Sequence, residues 1–97
     1  MNWKELLLKY FSDPDTLIGD IYAAGGINPR GYGYISGGYG GGVYIEQYHK
    51  LLYIDGFFQG LHIGNIVECR EVMKAINTGM KEKFGPEVND SNVPFNV

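Results

Sequence analysis

Tyrosine is the side chain this sequence repeats at spacings that could act on another molecule. Tyr32, Tyr34, Tyr39, Tyr44 and Tyr48 all fall in one stretch, RGYGYISGGYGGGVYIEQY, running from Arg30 to Tyr48. A phenol offers a broad apolar plate with a polar tip, and glycine removes bulk and permits positive φ, so alternating the two makes a stacking surface or a pliant loop. That chemistry is recognition. The residue types that make and break bonds are sparse by comparison. Cys69 is the only thiol and falls on an apolar helical stripe, which reads as packing. His49 and His62 have no partner at helix or strand spacing, so neither a metal site nor a cofactor is expected. Asp20, Glu46 and Asp55 are the carboxylates left over once helix caps are assigned, and Asp55 belongs to a turn; no acid/base pair emerges. The glycine run fails as a phosphate cradle. It lacks a G-x-x-x-x-G-K-[ST] string, and its G-x-G-x-x-G register breaks at Ser36 and again at Val43. The expectation is a chain with no catalytic residues that is not an enzyme.

The elements that must position these tyrosines follow from capping and periodicity. Asn2 with Glu5 starts a short helix whose apolar face is Trp3, Leu6, Leu7, Tyr10 and Phe11, ending near Ser12. Asp13-Pro14-Asp15 starts a second, with Leu17, Ile18, Ile21 and Tyr22 as its stripe and Gly25-Gly26 as its end. Alternating segments at 32–36 and 43–48, joined by the glycines of 37–42, read as a hairpin with a slack loop. In the second of these, Val43, Ile45 and Gln47 share one face and Tyr44, Glu46 and Tyr48 the other, which makes the tyrosine face the half-exposed one. Leu51–Ile54, Asp55-Gly56 and Phe57–Gln59 form the clearest hairpin signal in the chain. Asn65 with Glu68 opens the main helix, carrying Ile66, Cys69, Met73, Ile76, Met80 and Phe84 through Gly79 to about Gly85-Pro86. The expected fold class is α+β. A helical pair precedes an antiparallel sheet of three to four strands, and a long C-terminal helix packs on one sheet face. One domain spans 1–86, followed by a polar tail at 87–97 that is either loose or docked through Phe95.

Composition narrows the function classes. With 97 residues the chain has room for one modest core. The formal net charge is -3, and no acid or base other than tyrosine occurs from Gly31 to Gly42. Phosphate backbones are bound by Lys and Arg, so this neutral centre argues against generic nucleic-acid binding. Leu6-Leu7-Leu8 is far too short to span a bilayer, and the start lacks the pattern of a signal peptide. With a single cysteine, the expectation is a cytoplasmic protein away from the membrane. Eight tyrosines and five phenylalanines exceed what one small core is expected to bury, which leaves several on the surface as partner-binding residues.

The segment Arg30-Gly31-Tyr32-Gly33-Tyr34-Ile35 resembles the first RNA-contacting motif of RRM and cold-shock domains, where alternate strand aromatics stack on bases. Val43-Tyr44-Ile45-Glu46 is similar to the second cold-shock motif, with Glu46 where that motif carries histidine. The resemblance implies Tyr32, Tyr34 and Tyr44 as stacking residues and Arg30 as a phosphate contact. It stops at these two motifs: the lysine-rich strand of a cold-shock domain and the helix of an RRM are replaced by other sequence, and no family is assigned. The leading expectation is a small non-enzymatic module presenting Tyr32, Tyr34, Tyr39, Tyr44 and Tyr48, with Arg30, to a protein partner or to a second copy of itself. It would be an accessory or inhibitor-type protein of the kind phages and mobile elements encode. A single-stranded nucleic-acid binder using the same plates is the alternative.

Overall fold

A computed structural model describes residues 2–24, 43–46, 51–54, 57–58, 65–90, 92–95 and 97. Three helices account for most of them: α1 (Trp3–Leu7), α2 (Pro14–Ala23) and α3 (Ile66–Phe84). Each begins at the expected cap. The side chain of Asn2 accepts from Glu5 N–H at 2.8 Å, Asp13 accepts from Thr16 N–H at 3.2 Å, and Asn65 accepts from Glu68 N–H at 2.9 Å. Pro14 occupies the first turn of α2, where no intrahelical donor is needed. α1 is shorter than expected. After Leu7 the chain tightens, Lys9 N–H donating to Leu6 O at 3.2 Å and Tyr10 N–H to Leu7 O at 3.0 Å, each only three residues back.

The expected fold class is corrected by this structure. Among the described residues, a sheet of three to four strands that organises an α+β domain is not seen; they are mostly helical, with helices of 5, 10 and 19 residues. Strand structure among the described residues is limited to short antiparallel pairings among β1 (Val43–Glu46), β2 (Leu51–Ile54) and β3 (Phe57–Phe58), the last only 2 residues long. The expected strand at 32–36 and its hairpin loop lie outside the described residues. The physical reason is where the apolar side chains reside. The three helices supply Leu7, Leu17, Ile18, Ile21, Val72, Met73, Ile76 and Met80 to the interior, and the strands add Val43, Ile45, Leu52 and Ile54 to that same cluster. Within the helical layer, α3 lies closest to α1, while its buried residues share one cluster with those of the strands. A Cβ built on Gly79 would stand 2.7 Å from Cε3 of Trp3, so the indole lies directly on the glycine. Tyr22 of α2 stacks on Phe84 of α3 with ring centroids 4.0 Å apart, closing the other end of the helical layer.

The segment after α3 returns to the body. Val88, Pro94 and Phe95 are buried, and Phe95 is 1% exposed. Its backbone is read by one side chain: Asn77 Nδ2 donates to Phe95 O at 2.8 Å, and Phe95 N–H donates to Asn77 Oδ1 at 3.0 Å. Among the described residues, no helix is long and apolar enough to cross a membrane.

One charged side chain joins all three helices. Asp15 lies 3.1 Å from Lys4 Nζ and 3.1 Å from Lys83 Nζ, and hydrogen bonds from Lys4 first and Lys83 second hold its carboxyl below the ordinary 3.8. The unfolded chain therefore binds the proton at a higher pH than the native chain does. The contribution is fully present above about pH 4 and is lost as pH falls through the native value. Urea unfolding at about pH 5 and pH 3 should show stability falling with acid, and Asp15→Asn should flatten that fall. The carboxylate is about half exposed, so added salt should shrink the effect.

Candidate interaction surface

Period-2 alternation sorts the residues of β1 and β2 into two sets. Val43 and Ile45 are fully buried, and their partners in register, Ile54 and Leu52, are buried with them. The intervening positions pair Tyr44 with Tyr53, and β2 to β3 pairs Tyr53 with Phe58. Three aromatic positions therefore stand in one cross-strand row, out of phase with the buried set. Tyr53 itself is half-buried. Neighbouring aromatics across an antiparallel pair stabilise it.

Of the tyrosines expected to bind a partner, Tyr44 falls on this row. Tyr32, Tyr34, Tyr39, Tyr48 and Arg30 lie outside the described residues. Tyr53 and Phe58 were missed by reading the Arg30–Tyr48 stretch in isolation. The signal that finds them is Asp55-Gly56. A two-residue connection makes Ile54 face Phe57, and one step further out Tyr53 faces Phe58.

The bond-making residue types give a different picture. Cys69 is fully buried inside the core cluster, where a thiol acts as a small apolar group. Among the described residues, no group of three or more His, Cys, Asp or Glu is arranged to hold a metal ion, and His49 and His62 lie outside them. Tyr10 donates from its hydroxyl to Glu68 Oε2 at 3.3 Å, and burial, then the Glu68 charge, push the phenol above its usual value. That bond ties the turn after α1 to the start of α3.

Two open grooves accompany these elements. One, about 360 Å³, is lined by Tyr10, Phe11, Asp13, Thr16, Leu17 and Asp20; the other, about 300 Å³, runs between α1 and α3 past Trp3, Leu6, Glu71 and Thr78. In the first, both oxygens of Asp13 are engaged by Thr16, Oδ1 by its N–H and Oδ2 by its hydroxyl at 2.7 Å. Neither lining set includes a histidine, a cysteine or an arginine. No family model matches the chain, and no curated protein or solved structure matches it either.

Proposed function

We propose that the chain is a small non-enzymatic binding module that offers its tyrosine- and glycine-rich segment to a protein partner or to a second copy of itself. The observation that supports this reading is the cross-strand row of positions Tyr44, Tyr53 and Phe58, the first of which belongs to the Arg30–Tyr48 stretch. Large rigid aromatics bring much contact area at low entropic cost, and interfaces are enriched in them. The module fits a reducing compartment such as the cytoplasm, given a single thiol that is buried in the core.

The test uses the full chain and the Tyr44→Ala/Tyr53→Ala double variant. Self-association is read by light scattering, and partner binding by affinity capture followed by titration of the captured protein. A hot-spot aromatic costs about 2 kcal/mol when truncated, so the double variant should weaken binding by at least about thirty-fold while helical CD is retained. Unchanged affinity in a folded double variant would overturn the reading. The nucleic-acid alternative rests on the Arg30–Ile35 motif. It predicts quenching of tyrosine fluorescence by single-stranded oligonucleotides, weakening as salt rises. No quenching at low salt would dismiss it.

A further inference from the structure

The segment after α3 sits on the body as a peptide ligand sits on a receptor. Asn77 is 8% exposed, and both ends of its carboxamide are spent on the N–H and C=O of one residue, Phe95. An apolar seat takes the Phe95 ring, and Pro94 precedes it in the buried stretch. A main-chain clamp beside a side-chain pocket is the way receptors read extended peptides.

What joins this strap to α3 is a turn of polar residues. Asn92 N–H donates to Asn89 O at 3.2 Å, Asn92 Oδ1 accepts from Asn89 N–H at 2.7 Å, and Asn92 Nδ2 donates to Glu87 O at 2.8 Å. Asn89 and Asp90 are exposed, and the ion pair from Lys81 Nζ to Asp90 at 2.7 Å is solvated on the acid side. Opening the turn exchanges its hydrogen bonds for water and swings Val93–Phe95 away, leaving α1, α2 and α3 packed on one another.

We propose that Val93–Phe95 is an exchangeable strap, and that its seat beside Asn77 accepts the same segment from a second copy of this chain. The seat recognises two backbone groups and one ring, which every copy carries. The bonds made are therefore identical in the closed and exchanged forms, and only the turn and the entropy of association differ. A short tether gives the chain's own strap an effective concentration of order millimolar, so exchange competes when protein concentration reaches that range. This proposal does not depend on the tyrosine row and stands whether or not that row binds anything.

The experiment is complementation between two full-length variants. Asn77→Leu has a broken seat and an intact strap; Phe95→Ala has an intact seat and a broken strap. Each alone should be monomeric by light scattering. Mixed at about 1 mM they should form a one-to-one complex of twice the monomer mass, with the Asn77 carboxamide resonances of the Phe95→Ala copy shifting toward the wild-type positions. A mixture that stays at monomer mass while both variants keep their helical CD overturns the proposal. Should either variant fail to fold, native-state hydrogen exchange on the wild-type chain decides. Phe95 N–H exchanging at least tenfold faster than the amides of Met73 and Ile76 supports a strap that lifts by itself, and equal protection overturns it.

Discussion

Asn77→Leu should lower the unfolding free energy by about 2–4 kcal/mol, although leucine is the better helix former at a position inside α3. The two side chains share one branched shape, and leucine's bulkier methyls add to the cost at a buried site. What changes is the fate of Phe95, whose N–H and C=O both lose their partner while its ring remains 1% exposed. A buried polar group left without a partner costs about 1–3 kcal/mol, and two are orphaned by one substitution. The loss is bounded by the strap's own docking energy, because lifting the strap rehydrates both groups. Denaturant unfolding should therefore show a lower midpoint, and limited proteolysis should cut near Val93–Phe95 before it touches α3. Asn77→Asp should be no milder at neutral pH, since it replaces the donor to Phe95 O with an acceptor and buries a charge. A gain in stability for Asn77→Leu would show that the strap does not rest on this side chain.

Gly79→Ala sets the same two effects against each other. Helix propensity favours alanine over glycine by about 1 kcal/mol, so the linear sequence recommends the change. Sterics oppose it. The new methyl would meet Trp3 at 2.7 Å from Cε3, 2.9 Å from Cζ3 and 3.0 Å from Cδ2, distances that carbon atoms do not sustain. Trp3 is half-buried and packs against the core, so moving its ring off Gly79 gives up that contact. Forcing α1 off α3 is an overpacking cost of about 1–3 kcal/mol, and the net change should be destabilising. Trp3 is the one tryptophan in the chain, which makes its emission a direct reporter: the variant should shift toward the spectrum of an exposed indole. Increased stability with unchanged emission would mean that Trp3 does not cover Gly79.

Both substitutions turn on the same distinction between near and far in the chain. The helix starts were legible because a cap is a local object. Asn2 to Glu5, Asp13 to Thr16 and Asn65 to Glu68 each join residues three apart, and the linear pattern contains everything the bond requires. The hairpin of β2 and β3 was legible for the same reason, since Asp55-Gly56 is a favoured two-residue turn, while the register that sets Tyr53 opposite Phe58 came from the structure. Of the candidate surface, Tyr44 was found from its spacing, while Tyr53 and Phe58 required the hairpin to be carried one strand further.

Residue order alone thus settled where the helices begin, which faces of them are apolar, and that two short strands are joined by a tight turn. It misjudged the balance of the fold, because alternation along a segment shows that a strand can form there and not how much of the buried surface the helices will supply. It also could not say why Gly79 is tolerated in the middle of α3, or that Asn77 holds Phe95. Those answers join Trp3 to Gly79 and Asn77 to Phe95, pairs with no fixed relation along the chain, and they exist only once the helices have packed and water has been removed from between them.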